Sequence, residues 1–360
     1  MRIGVEGSAY QKTSLLDFAG AACKDSFSCS QYPLRVRASM KKLLLHFLVM
    51  ACLALMASSG MAQSWPSKPI RIVLQFPPGG ATDAVARILA QSMTASLGQT
   101  VLIENRPGAD GAIAGDFVAR AEPDGYTFFL ASNTPMMQVP LLKKNPPYDP
   151  VKSFTPVSLV GRYIYVLVTN PSVPAQNVNE LLSYAREHPG KLNYGSYSGV
   201  TQLMHTRINQ GAKADLNLIN YKGEAPTISD LLGGHVQLTF ATPISTMQHI
   251  KEGKLKALAM LLPARYSQLP NVPTAQEAGL PSLPAATLAA LFGPAKLPRE
   301  ITLRMNKEIN LAMAKPEIRD RIDKLGFDLA GSTPAELGLF VQDQLGAWGK
   351  AFAEAGLQAE

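Results

Sequence analysis

Ile70-Arg71-Ile72-Val73-Leu74-Gln75-Phe76-Pro77-Pro78-Gly79-Gly80-Ala81-Thr82-Asp83 is the stretch on which the fold turns. Its first six residues are mainly apolar and make a short strand. Phe76 to Ala81 is a loop by its proline and glycine content. Val85, Ile88, Leu89, Met93 and Leu97 then recur at helical spacing, and Gly98 closes that helix. Residues 100–104 predict a second strand, 111–121 a short Ala/Gly-rich helix and 126–131 a third strand. The order βαβαβ argues for an α/β fold with a largely parallel sheet. The stretch 132–156 is rich in proline and polar residues and is expected to be a long loop.

From about residue 158 the pattern restarts. Strands are expected over 160–169, 192–195, 216–221, 236–240, 255–261 and 286–293. Helices are expected over 178–187, from the end of the second strand to about 210, and over 225–232 and 244–251. Helices at about 298–314, 316–325 and 334–354 finish the chain. This gives two α/β units, with the C-terminal helices packing back on the first.

Upstream of residue 63 the sequence reads as export. Met40-Lys41-Lys42 is a basic start, Leu43 to Ala57 an apolar run, and Ser58 to Ala62 a small-residue tail. That order is a secretory signal peptide over about 40–62, cleaved near Ala62. Residues 1–39 have no signal character, which fits a true start at Met40. A lipoprotein reading at Cys52 is the weaker alternative, because the apolar run continues past it. The full chain of 360 residues carries a formal +7, but residues 1–62 hold seven basic and three acidic residues. The remainder has 27 basic and 24 acidic residues, a net +3. That removes the case for a nucleic-acid partner, which needs a concentrated basic face. Cys23, Cys29 and Cys52 all precede the cleavage point, so the mature chain has no disulfide, thiolate metal ligand or cysteine nucleophile.

Signals of catalysis are few. His188, His205, His235 and His249 show no metal-ligand spacing and read as surface or turn residues, so no metal is expected. Gly195-Ser196-Tyr197-Ser198-Gly199 has tyrosine where a nucleophile elbow needs serine. Gly108 to Gly115 lacks the G-x-G-x-x-G spacing and opens the second helix, not the first, so it reads as helix packing and no cofactor is expected. What remains is a set of strand-to-helix junctions rich in Gly, Ser and Thr. They supply the candidate ligand-binding residues: Phe76, Pro78, Gly79, Gly80 and Thr82; Ser132, Asn133 and Thr134; Ser196, Ser198, Gly199 and Thr201; and Thr242. In a parallel sheet such loops fall at the carboxyl ends of strands, where ligands bind. Free N–H groups at helix N-termini suit an anion. Each loop taken singly reads first as a turn with an N-cap, Thr82 and Thr201 being plausible caps, and it is the four together that point to binding of a small anion.

Pro66 to Val73 followed by Pro78-Gly79-Gly80-Ala81-Thr82-Asp83 resembles the periplasmic substrate receptors of tripartite tricarboxylate transporters, also called Bug receptors. So do Glu104 to Ala109, Pro123 to Thr127, Tyr221-Lys222-Gly223, Leu231 to Gly234 and Pro270 to Thr274. The match runs over nearly all of 65–360. The resemblance implies a two-lobed periplasmic binding protein, type II-like, each lobe a mainly parallel sheet flanked by helices. Lobe 1 would comprise 63–165 plus 286–360 and lobe 2 would comprise 166–285, with crossings near Val166 and Ala286. It implies a monomeric, non-enzymatic receptor in the periplasm that binds a small carboxylate between its lobes and serves integral membrane transporter subunits. A receptor that signals to a sensor protein is the alternative, and an exported hydrolase of unusual motif a more distant one. Asp83 would repel an anion if it faced the cleft, so it is expected to cap or brace its loop. The chain departs from the family pattern at Asp110, where glycine is usual, around Ser198 to His205, and over 286–293, which lacks the usual tryptophan.

Overall fold

The computed structural model describes His46, residues 65–281 and residues 286–359. The expected signal segment (His46 apart), its cleavage point and the three cysteines lie outside the described residues. Gln63–Glu360 forms one compact unit. Among the described residues no helix is long and apolar enough to cross a membrane.

The opening stretch folds as its pattern demands. Ile70–Leu74 (β1) is almost wholly buried, and Ala81–Leu97 (α1) buries Val85, Ile88, Leu89, Met93 and Leu97 against the sheet side. β1 pairs in parallel with Val101–Asn105 (β2) and Thr127–Ser132 (β3), and Ala112–Ala119 (α2) connects those two. Phe154–Tyr163 (β4) then joins this sheet, running the same way as β1 to β3 but paired antiparallel with its own neighbours, and the chain leaves it. Val166–Thr169 (β5), Asn193–Ser196 (β6), Asn217–Asn220 (β7), Leu238–Ala241 (β8) and Lys256–Met260 (β9) make a second sheet, in the order β7-β6-β8-β5-β9. Its helices are Val178–Glu187 (α4), Gly199–Ala212 (α5), Glu224–Leu232 (α6) and Pro243–Lys251 (α7). The chain returns with Ala289–Pro294 (β10), which lies between β3 and β4 and runs antiparallel to both. Phe327–Leu329 (β11) completes the first sheet in the order β11-β4-β10-β3-β1-β2.

The molecule is therefore two lobes, each a sheet flanked by helices, and both sheets are mixed, with most strands running one way and a minority against them. The reason is connectivity. Strands linked by a covering helix (β1, β2, β3 and β6, β7, β8) run parallel, as βαβ units must. In the first sheet the returning strand β10 and the late strand β11 run against them, while β4 keeps the direction of β1 to β3; in the second sheet the entering strand β5 runs against β8 and β9. The expected loop over 132–156 holds helical structure, a π turn at Thr134–Gln138 followed by Val139–Leu142 (α3). Pro135 and Pro140 sit in the first turns of these segments, where proline's missing N–H costs nothing.

The C-terminal helices do pack back on the first sheet. Arg299–Ala314 (α8) and Pro334–Glu354 (α10) cover β4, with Pro316–Asp323 (α9) beside α8. Phe154 ties this layer together, its ring 5.9 Å from Phe129 and 6.1 Å from Phe292. The fully buried Trp348 of α10 reaches the return crossing, where Nε1 donates to the Ala286 carbonyl at 3.1 Å. Asn133 Nδ2 donates to the same oxygen at 3.1 Å, and Gln344 accepts the Ala286 N–H. Asp110 holds a left-handed conformation at φ 58°, which explains how aspartate serves where glycine is usual, being one of the few side chains that tolerate it.

Candidate functional site

A cavity lies where the strand ends of the two lobes meet. Its first-lobe wall is Phe76, Pro77, Gly80, Ala81, Thr82, Asp83 and Ser132, with Tyr163 and Tyr165 at the crossing. Its second-lobe wall is Tyr197, Glu224, Ala225 and Thr242. The lobes touch across it: a Cβ added to Gly223 would meet Pro77 Cδ at 2.8 Å. Beyond Tyr197 a wider open cleft continues past Ser196, Ser198 and Gln202.

The first-lobe wall is a helix N-terminus without a cap. Gly80 is the N-cap residue of α1 and has no side chain to offer, so the first-turn N–H groups of Ala81, Thr82 and Asp83 have no acceptor within the helix. Thr82 is thus inside the first turn and not a cap. Its hydroxyl pairs with Tyr163 Oη at 2.6 Å. Ser132 Oγ lies 2.9 Å from the Gln75 amide. Asp83 braces the loop, as expected. It accepts from Gly79 N at 3.3 Å, from Arg87 Nε and Nη2 at 2.9 Å each, and from Asn105 Nδ2 at 3.1 Å. Burial alone would raise its carboxyl, but these donors, Arg87 first, outweigh it and hold Asp83 below the usual carboxylate range. Its charge is therefore balanced within the loop. Gly79 is exposed at the loop tip with φ +92°, a backbone only glycine adopts freely.

The second-lobe wall is different. Glu224, the first residue of α6, is 6% exposed. Thr242 donates to it through both its N–H and its hydroxyl, the latter 2.8 Å from Oε1. The hydroxyls of Tyr197 and Ser245 lie beside the carboxylate, outside good hydrogen-bond geometry but close enough to offset part of the cost of its burial. Burial pushes the Glu224 carboxyl up, and its donors offset only part of that. Among the described residues no lysine or arginine lines the cavity. Burial, reinforced by Glu224, also raises the phenols of Tyr163, Tyr165 and Tyr197, so all three stay neutral. At about 5 Å and an effective dielectric of 20, an ionised Glu224 repels a second anion by about 3 kcal/mol.

Five of the expected residues, Phe76, Gly80, Thr82, Ser132 and Thr242, line the cavity. The rest do not reach it. Pro78 and Gly79 form the exposed loop tip. Asn133 spends both ends on backbone, its Nδ2 on Ala286 and its Oδ1 accepting from Leu288 N at 2.8 Å. Thr134 Oγ1 accepts from Gly199 N at 3.2 Å and so links the lobes. Ser198 is the N-cap of α5, in a capping box with Thr201. The Thr201 hydroxyl is wholly buried, accepts from Tyr197 N at 3.0 Å and Ser198 N at 2.9 Å, and pairs with Ser196 Oγ at 3.1 Å. This cluster holds Tyr197 in place; Ser196 and Ser198 border only the outer cleft.

Sequence reasoning missed Tyr163, Tyr165, Tyr197 and Glu224. Tyr197 sits in the middle of the Gly195 to Gly199 loop, where a tyrosine in the nucleophile position signals only the lack of a nucleophile. Tyr163 and Tyr165 alternate at a crossing, a signal that was available. Glu224 follows Tyr221-Lys222-Gly223 directly, yet an acidic residue opening a helix is ordinary, and nothing local marks it as buried. His205 also differs from the expected surface histidine: it is half-buried, packs on Tyr194 at 5.2 Å and bonds Leu216 O through Nε2 at 2.8 Å. Among the described residues no group of three His, Cys, Asp or Glu is placed to hold a metal.

Comparison with known proteins gives a consistent picture. Residues 85–357 match the family described as "Tripartite tricarboxylate transporter family receptor". The chain is 33% identical over 325 residues to the protein BugT of Bordetella pertussis, covering 88% of this chain and 98% of that one. It is similar to the solved structure of the periplasmic binding protein BugD, with 33% identity and a TM-score of 0.79, over 82% of this chain and 100% of that one. The structure of MatC from Rhodopseudomonas palustris with bound malate gives 30% identity and a TM-score of 0.74, over 80% and 99%.

Proposed function

The chain belongs to the tripartite tricarboxylate transporter receptor family, and from that premise we propose that it is a periplasmic receptor for a small carboxylate, delivering it to a membrane transporter. The family is one of solute-binding receptors, and a relative of the same fold holds malate. The observation that carries the reading is the uncapped first turn of α1, opening on a cavity that, among the described residues, no lysine or arginine lines. Orphan N–H groups and the helix dipole together make an anion site without a cationic side chain.

In the proposed cycle the carboxylate docks on Gly80, Thr82 and Ser132 beside Phe76. The second lobe then closes with Thr242, and Ser196, Ser198, Gly199 and Thr201 position Tyr197. Pro78 and Gly79 shape the loop, and Asn133 and Thr134 hold the crossing and the opposing lobe. The divide falls between Tyr163 and Val166 on the way out and at Ala286 on the return. Closure removes water from the cavity and completes the hydrogen bonds, so ligand selects the closed state.

A thermal-shift screen of the purified protein against carboxylates, sugars and amines tests this. A ligand at about 100 times its dissociation constant adds about 2.7 kcal/mol, enough to move the midpoint by several degrees. A response confined to sugars, or absent for every carboxylate after unfolding, dialysis and refolding, sinks the proposal.

A further inference from the structure

The cavity is not symmetric in charge, and that bears on which carboxylates fit it. Its first-lobe wall offers donors, the orphan N–H groups of α1, while the one carboxylate there, Asp83, is spent on Arg87, Asn105 and Gly79. Its second-lobe wall offers an acceptor. Glu224 has Thr242 as its hydrogen-bonding partner, and no cationic side chain reaches it. Tyr197, 9% exposed and lining the same cavity, has a hydroxyl that lies beside Glu224 but makes no well-formed hydrogen bond. A buried hydroxyl without a well-formed hydrogen bond beside a buried carboxylate without a counter-charge marks a place where something is to be added. A brace between Glu224 and Thr242 explains the carboxylate's contacts but leaves the Tyr197 hydroxyl unexplained.

Resting on the carboxylate-receptor reading above, we infer that the ligand is a zwitterion: its carboxylate sits on the first turn of α1 and its ammonium group sits between Glu224 and the Tyr197 hydroxyl. An ammonium supplies the missing counter-charge and three donors, enough for Glu224 and Tyr197 together. A plain dicarboxylate or tricarboxylate would instead set its second anionic end against Glu224.

Matched pairs that differ by one amino group test this by calorimetry at pH 7.5: L-glutamate with glutarate, β-alanine with propionate, and 4-aminobutyrate with butyrate, plus butylamine as the amine without a carboxylate. In the pair of the length that fits, the amino member should bind at least about tenfold tighter. Glu224→Gln should remove most of that preference. It keeps an oxygen for the Thr242 donors, so its fold should hold. Tyr197→Phe deletes only a hydroxyl that makes no well-formed hydrogen bond, so it should fold as the parent does while weakening the amino member several-fold. Equal binding of both members, or a preference that survives Glu224→Gln, overturns the zwitterion and leaves the carboxylate reading standing. Butylamine binding as tightly as 4-aminobutyrate supports the Glu224 subsite but removes the carboxylate from the site. Binding of no probe overturns both.

Discussion

Asp83 and Glu224 are both acidic residues near the start of a helix, both nearly buried, and both in the wall of one cavity. Their surroundings are opposite. Asp83 is wrapped by a guanidinium, an amide and a backbone N–H. Glu224 meets the donors of a single threonine. The first carboxylate is finished by its own lobe, whereas the second is left with charge to spare. The comparison teaches that a charge built into a loop's frame and a charge left for a partner look alike in sequence and differ only in what tertiary contacts bring.

Replacing each carboxylate by its amide should therefore act in opposite directions. Asp83→Asn turns an amide nitrogen towards Arg87 and Asn105 and should cost about 2–3 kcal/mol, seen as a midpoint lowered by several degrees. Equal stability of that variant would break the comparison. Glu224→Gln should stabilise the ligand-free protein at neutral pH by about 1–2 kcal/mol, because it removes an ionisable group held above its ordinary range. The sign follows from proton binding. The folded protein holds the Glu224 proton more tightly than the unfolded chain, whose carboxyl titrates near 4.5. Glu224 therefore stabilises most below that pH, and its contribution falls as pH rises towards the folded value. Melting curves of both proteins should converge below about pH 4.5 and separate above it; a gap that widens in acid would contradict the assignment.

Closure can be probed without touching either charge. Gly223 has an extended backbone, so alanine is permitted there, but its Cβ would press on Pro77. Gly223→Ala should hold the lobes apart and weaken ligand binding by about tenfold, some 1.4 kcal/mol, with little change in the ligand-free midpoint. The loop tip sharpens the picture further. Gly79→Ala should cost about 1 kcal/mol through its positive φ, whereas Gly80, with nothing within 4 Å of an added Cβ, should accept alanine within about 0.5 kcal/mol. Equal costs at the two positions would place the strain elsewhere.

Much of the fold was legible because its signals are local. The expected helix over 178–187 is the observed one to the residue, and the helix after the Gly79-Gly80 loop differs only at its first position. Strand direction was not legible. The β10 segment reads the same whether it enters its sheet up or down, and only its partners, β3 and β4, decide. The helical turns after Ser132 were hidden because proline was read as a breaker where it serves as a first-turn residue. At the site, residue types marked the correct loops but not which hydroxyls are free. Thr201 has the same chemistry as Thr82, yet its Oγ1 is consumed by the backbone of its own loop. Glu224 was invisible for the converse reason: its partner Thr242 lies 18 residues on, and Tyr197 lies on another loop.

The indole of Trp348 has one more consequence. It is fully buried and tied to the Ala286 carbonyl at the return crossing, while Trp65 lies far from it in the chain, hydrogen-bonded to Gly125. Trp348 is therefore a natural optical gauge of the pivot. If the lobes swing about this crossing, its emission should change when ligand binds, and Trp65→Phe should leave that signal intact with less background. The protein thus carries its own reporter of opening and closing, and ligand binding can be timed without attaching a dye.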